Sequence, residues 1–333
     1  MRRICLVFLV HESFDCVTHF ERAFQEVNFD VELLKIPFRW RFDRKYVNEL
    51  KALLAEKSRN QFVFFSPQST ELFLREADFT IVYSAYRNWF NHENMRVIPH
   101  LWTPAKPRVP IDELRWANKP PIRIGFMGRT YANNWQTKII SKTPMRLKHW
   151  LLKGSFLRYP GVIALLNEYC GFATKAINTF PRLEVLRLMQ EKKNEFQDVE
   201  LDIIESGFHG ADHELSAYMA HLERNTYIVC PRGSENYSYR MYEALSHGRI
   251  PVIIDTDIVL PNEIPWDRLS VRIPYKAIGE FYKYILHDHN SHSKQEFLER
   301  QKEAFTVMAE LQTMHWIKKF AQESKTLIGA RST

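Results

Sequence analysis

With 333 residues, 45% of them hydrophobic and 26% charged, the chain has the composition of a folded protein and enough length for two domains, each with its own core. That excludes a disordered or fibrous chain, and a net charge of +7 turns attention to acidic partners: nucleotide sugars, anionic glycans, an anionic membrane face or nucleic acid. Four cysteines, Cys5, Cys16, Cys170 and Cys230, show no CxxC pairing, so they read as reduced core residues, and no metal-ligand spacing is seen.

From the amino terminus, Met1-Arg2-Arg3 leads into an apolar run over residues 4–10. It is too short to cross a membrane and lacks a cleavage site, so it reads as a first strand, and the chain is expected to be cytoplasmic. A polar turn, His11-Glu12-Ser13-Phe14-Asp15, sits at that strand's carboxyl end, and residues 17–27 follow with helical spacing through Phe20, Phe24 and Val27. Strands are expected over 31–34, 61–65, 79–83 and 95–98, helices over 45–54 and 70–76, and a loop over 35–43. Pro99, Pro104, Pro107 and Pro110 then mark a linker that cannot be helical throughout. This alternation of strand and helix predicts a doubly wound first domain over 1–110.

A second domain, 111–322, starts with the strand Ile122-Arg123-Ile124-Gly125-Phe126-Met127-Gly128-Arg129. Gly125-x-x-Gly128 falls short of a dinucleotide fingerprint, although Arg129, past the strand's end, could reach a phosphate; an Arg closing a strand more often faces solvent. Two basic stretches contain tryptophan: Arg39, Arg41, Arg44 and Lys45 around Trp40, and Lys138, Lys142, Arg146, Lys148 and Lys153 around Trp150. Either could lie on a membrane interface, making the protein peripheral to the inner membrane, or be an ordinary solvated face. Helices are expected over 148–152, 161–169, 181–192 and 213–223, with an alternating strand over 199–204.

Residues 227–266 concentrate the chemistry. Tyr227 to Cys230 reads as a buried strand, broken by Pro231-Arg232-Gly233. Ser234, Asn236 and Ser238 can offer side-chain oxygens to free N–H groups before a helix that begins near Tyr239 and stops at Gly248, and the run Ile250-Pro251-Val252-Ile253-Ile254 is a second buried strand. In such a unit, ligands bind beyond the strands' carboxyl ends, where a helix start favours anions. Arg232 and Arg240 flank that place, and Glu243, three residues beyond Arg240, could accept hydrogen bonds from a ribose. Together they suggest a nucleotide-diphosphate site; an exposed Arg240–Glu243 pair would have the same spacing. Asp255-Thr256-Asp257 puts two carboxylates at a strand end, too few oxygen ligands for Mg²⁺. Further on, a strand is expected over 269–273 and helices over 278–287 and 294–321, the last able to pack back across the cleft.

The order Pro231-Arg232-Gly233, Ser238-Tyr239-Arg240, Glu243-Ala244, Gly248, Ile250-Pro251-Val252-Ile253, Leu260-Pro261 and Trp266-Asp267 resembles the carboxyl-terminal half of the exostosin (GT47-type) glycosyltransferases. The family commonly has Cys before the Pro-Val-Ile strand and Phe after Leu-Pro, where this chain has Arg249 and Asn262. The resemblance implies an α/β fold of two Rossmann-like domains facing a cleft (GT-B). It also implies inverting, metal-independent transfer of a sugar from a nucleotide-diphosphate sugar, a UDP-sugar first of all, to a glycan hydroxyl, with the donor as substrate and no cofactor. Surface-polysaccharide synthesis would suit such an enzyme. On this reading Arg129, Arg232, Gly233, Ser238, Tyr239, Arg240 and Glu243 hold the nucleotide sugar, and His11, Glu12 or Asp15 of the facing domain supplies the general base. His100, near the linker, is a weaker candidate for that base. Alternatives are a GT-B transferase with a fucosyl- or Kdo-type donor, or a non-catalytic glycan- or nucleic-acid-binding module. Nucleic acid is not expected as a partner, because the chain has neither zinc-finger spacing nor an RRM-like aromatic box.

Overall fold

A computed structural model describes residues 2–10, 17–37, 52, 61–66, 79–82, 86–87, 95–97, 118–128, 139–140, 142–152, 173–205, 212–233, 236–312 and 318–323, and among these ten strands form two parallel sheets. The first sheet holds β1 (Arg2–Val10), β2 (Phe29–Pro37), β3 (Gln61–Ser66), β4 (Phe79–Val82) and β5 (Met95–Val97) in the order β2-β1-β3-β4-β5. The second holds β6 (Arg123–Gly128), β7 (Glu200–Glu205), β8 (Tyr227–Cys230), β9 (Ile250–Asp255) and β10 (Val271–Pro274) in the order β10-β9-β8-β6-β7. Counted within each half, both orders are 2-1-3-4-5, the doubly wound arrangement. The protein is thus an α/β chain with two Rossmann-like sheets. Their switch points, where the order reverses, lie between β1 and β3 and between β6 and β8.

Among the described residues the helices are α1 (Val17–Glu26), α2 (Met145–Leu152), α3 (Ala173–Lys192), α4 (Asp212–Arg224), α5 (Arg240–Ser246), α6 (Trp266–Leu269), α7 (Phe281–Ser291) and α8 (Lys294–Gln312), with 318–323 also helical. Alternation along β8 shows why its whole run is apolar. Tyr227 and Val229 face a cluster with Phe126, Phe180, Val185, Val252, Ile273 and Ile285, while Ile228 and Cys230 face another with Met241, Leu245, Ile253, Ala304 and Met308. A parallel strand covered on both faces has no solvent side to make polar. Each fully buried Val or Ile here stabilises the sheet by about 1.5–3 kcal/mol.

Several elements differ from the sequence reading. β2 runs on through Lys35 to Pro37, where a loop was expected, because its backbone pairs with Phe8 to Val10 of β1. Helix α3 starts at Ala173 and carries Pro181 within it, instead of starting there. Leu269 closes α6, so the last strand begins only at Val271. Lys148 is no part of a basic surface: it is buried and its Nζ lies 2.6 Å from Glu184 Oε1, with Tyr275 donating to the other carboxylate oxygen. The helices expected over 70–76 and 161–169, all but residue 52 of that over 45–54, the basic stretch at 39–45 and the proline linker lie outside the described residues.

The terminal helical segment meets the first domain: Lys318 Nζ is 2.7 Å from Glu26, and the Phe320 ring packs edge-on to Phe24 at 6.4 Å.

Candidate functional site

The site grows from the end of β8. Pro231 stops the strand, and the Gly233 N–H donating to Tyr237 O at 2.9 Å closes the following loop, whose Asn236, Tyr237 and Ser238 are buried. Arg232 is only 2% exposed. Its Nη2 donates to the hydroxyl of Tyr86 at 2.6 Å, and its guanidinium lies 5.3 Å from the centroid of the Tyr86 ring. Tyr86 comes from the loop after β4, so a residue of the first domain orients a cation of the second. A phenol is a neutral partner and fixes a guanidinium without cancelling its charge.

Helix α5 begins at Arg240, with Tyr239 at the N-cap and no side chain capping it there. Of the three expected caps, Ser234 lies outside the described residues. Asn236 Oδ1 accepts from the Thr256 hydroxyl at 2.7 Å, and the backbone carbonyl of Ser238 accepts from Met241 N–H at 3.2 Å. The helix ends as its sequence dictates. Gly248 takes φ 61°, Gly248 N–H donates to Leu245 O at 2.9 Å and Arg249 N–H to Ala244 O at 2.8 Å, which is a Schellman turn.

Arg240 leaves α5 towards the neighbouring strand. Its Nε donates to the carbonyl of Met127 at 2.9 Å, and its guanidinium lies 4.8 Å from the Phe126 ring centroid. Gly128 makes this possible: at φ 152°, a Cβ there would stand 1.9 Å from Arg240 Nη2. The other glycine of the pair serves packing, since a Cβ on Gly125 would strike the side chain of Asn225 at 2.5 Å. Arg232 and Arg240 therefore sit at the carboxyl ends of β8 and β6, the two strands bounding the second sheet's switch point.

Glu243 is not the outward partner of Arg240. Tyr218 of α4 donates a hydrogen bond to its carboxylate, and burial raises the Glu243 pKa above the usual carboxylate value, against the lowering pull of Tyr218 and Arg240. Burial likewise raises the Tyr218 hydroxyl well above its ordinary value, with the Glu243 charge adding to it. Arg249, standing where the resembling family has Cys, is buried, and burial lowers it to about 10.

The two sheets meet at a clasp next to this site. Tyr86 forms an antiparallel bridge with Ile258, and Arg87 N–H donates to Asp257 O at 3.1 Å. Arg87 also reaches Asp255 at 2.6 Å and Asp257 at 3.6 Å, while Arg272 Nε donates to Asp255 at 2.9 Å. The two carboxylates at the end of β9 are thus engaged with arginines, and among the described residues no group of three or more His, Cys, Asp or Glu could hold a metal ion. Beside the clasp is a cavity of about 640 Å³ lined by residues including Arg87, Ile258, Asn262, Trp266 and Arg272. Trp266 is buried and donates its indole N–H to Pro261 O at 2.9 Å.

Of the residues singled out from sequence, Arg232, Gly233, Ser238, Tyr239, Arg240 and Glu243 are brought together around the ends of β6 and β8. Arg129, His11, Glu12, Asp15 and His100 lie outside the described residues. The sequence reading missed Tyr86, Arg87 and Tyr218, which reach the site from distant parts of the chain.

Comparison with known proteins bears on this half of the chain. Residues 181–288 match the Exostosin GT47 domain, so that segment is exostosin-like. A probable beta-1,4-xylosyltransferase of Arabidopsis thaliana, IRX10, is 39% identical over 71 residues, 21% of this chain and 17% of that protein. Probable glucuronosyltransferase 47 A of Physcomitrium patens is 33% identical over 89 residues, 26% of this chain and 19% of that protein. The similarity therefore spans less than a fifth of these relatives' length. Among solved structures, Anabaena Alr3699/HepE in complex with UDP is 11% identical with a TM-score of 0.46, covering 98% of this chain and 100% of that one. A glycosyltransferase from Rickettsia africae is 10% identical with a TM-score of 0.42, covering 98% of this chain and 99% of that one.

Proposed function

We propose that the protein is an inverting glycosyltransferase that takes a sugar from a UDP-sugar and passes it to a glycan hydroxyl, in the synthesis of a surface polysaccharide. The observation that carries this is the placement of Arg232 and Arg240 at the carboxyl ends of β8 and β6, beside the second sheet's switch point. Two guanidinium groups there, each held by a neutral oxygen, suit the two phosphates of a nucleoside diphosphate. Glu243 then takes the ribose hydroxyls. The exostosin-like segment and the xylosyl- and glucuronosyltransferase names of its relatives support the same reaction class.

In the proposed step an acceptor oxygen forms a bond to C1 of the donor sugar as the C1–O bond to the diphosphate breaks, and the acceptor's proton passes to a base. Arg232 and Arg240 stabilise the negative charge growing on the departing diphosphate, as preorganised donors that need no reorganisation during the reaction. This assigns to arginines the charge neutralisation that a divalent cation performs elsewhere. The base is assigned to His11, Glu12 or Asp15, which follow β1 in sequence. The acceptor is assigned to the cavity beside the clasp, whose volume suits a small ligand.

A panel of UDP, GDP and CMP tested by thermal shift separates this from other GT-B donors. At one hundred times its dissociation constant the right nucleotide stabilises the fold by about 2.7 kcal/mol. UDP is expected to give the largest shift, and a flat response to all three would reject the proposal.

A further inference from the structure

Four large apolar side chains stand exposed among the described residues, Ile139 (55%), Met145 (39%), Leu147 (44%) and Trp150 (44%), and all of them fall between residues 139 and 150. Exposed apolar residues are ordinarily scattered singly, so their gathering on α2 and the turn before it marks a contact surface. Lys142 and Arg146, both exposed, stand among them. The inner side of α2 is fixed: Lys148 and Leu152 are buried, and the ion pair of Lys148 with Glu184 ties the helix to α3. The outer side is therefore a platform on a rigid support.

The surrounding stretch of sequence is rich in cations, of which Arg123 and Lys148 pair with Glu200 and Glu184. From Leu114 to Asn167 the chain has ten Lys or Arg and not one Asp or Glu, more positive charge than the net +7 of the whole protein. The remainder is slightly acidic. We propose that this face docks on an anionic lipid bilayer, with Ile139, Met145, Leu147 and Trp150 entering the boundary between headgroups and acyl chains while Lys142 and Arg146 meet the lipid phosphates. Tryptophan is suited to that boundary and basic residues to an anionic leaflet, and aliphatic side chains gain by leaving water there. A nucleic acid would use the cations but would leave Ile139, Met145 and Leu147 wet. The proposal is independent of the nucleotide site.

Co-sedimentation of the full chain with vesicles tests it, using phosphatidylcholine alone against phosphatidylcholine mixed with phosphatidylglycerol. Binding is expected to the mixed vesicles and to weaken as salt rises. Lys142→Glu with Arg146→Glu should lower partitioning by at least about 25-fold, and Leu147→Ser with Trp150→Ser by about tenfold or more. All four positions are exposed, so the melting temperatures should stay near wild type. Brominated lipid should quench tryptophan emission of the wild type more than that of Trp150→Phe. Failure to sediment with either vesicle, equal binding with and without phosphatidylglycerol, or wild-type binding by both double variants would overturn the proposal. So would retention on duplex DNA that the charge reversals abolish while vesicles bind nothing.

Discussion

Replacing Gly128 by alanine tests the placement of Arg240 without touching the arginine. The new methyl group would stand 1.9 Å from Arg240 Nη2, and the backbone at φ 152° disfavours a side chain. The obstructing atom is the end of a flexible side chain, so the guanidinium swings away, losing its bond to Met127 O and its place over Phe126. Backbone strain of this kind costs about 1–3 kcal/mol, which lowers the melting temperature but leaves a folded protein. A hydrogen bond to a charged group is worth about 1.5–3 kcal/mol, so UDP affinity should fall by about 10- to 150-fold. Isothermal titration with UDP measures this on the folded protein, beside Arg240→Ala, expected to lose a similar factor and all turnover. Gly125→Ala is the control. It lies in the same strand as Gly128 but its added methyl group meets Asn225, so it should destabilise the protein without selectively weakening UDP. Wild-type UDP affinity in both folded Gly128→Ala and folded Arg240→Ala would refute the reasoning.

Other expectations follow from the same contacts. Tyr86→Phe removes the hydroxyl that accepts from Arg232 but keeps the ring, and should weaken UDP binding by about tenfold; Tyr86→Ala should weaken it further, and unchanged titrations for both would remove Tyr86 from the site. Glu243→Gln should raise thermal stability at neutral pH while weakening UDP. Its folded pKa is raised, so ionisation opposes folding above the unfolded value of 4.5, and the stability gained by Gln should shrink towards zero as pH falls to that value. Melting curves of the two proteins between pH 4 and pH 8 check the sign. Lys148→Met should destabilise by about 3–5 kcal/mol by leaving Glu184 buried without its cation, and Lys148→Met with Glu184→Leu should recover part of that loss in denaturant titrations.

The strand, helix and strand from Tyr227 to Asp255 were legible because each boundary has a local cause. Two apolar runs are too uniform for half-exposed strands, Pro231 halts the first, and Gly248 supplies the left-handed turn that ends α5. The places of Arg232 just past a strand end and of Arg240 at a helix start were legible for the same reason, since both are short-range facts. Tyr86 was not. Nothing about a Tyr-Arg pair after β4 signals that it meets Arg232, 146 residues away, or the end of β9. Lys148 misled for a related reason: Lys142 and Arg146, close by in sequence, are exposed, while its partner Glu184 comes from another helix. Side-chain caps were also overread at Asn236, whose oxygen is taken by Thr256 across the fold.

A crystal structure of the chain with UDP tests the central claim most directly. The diphosphate should lie beyond the carboxyl ends of β6 and β8, with oxygens about 3 Å from the guanidinium groups of both Arg232 and Arg240. Finding UDP bound elsewhere, with both arginines keeping their contacts to Tyr86 and Met127 and touching no phosphate, would contradict it.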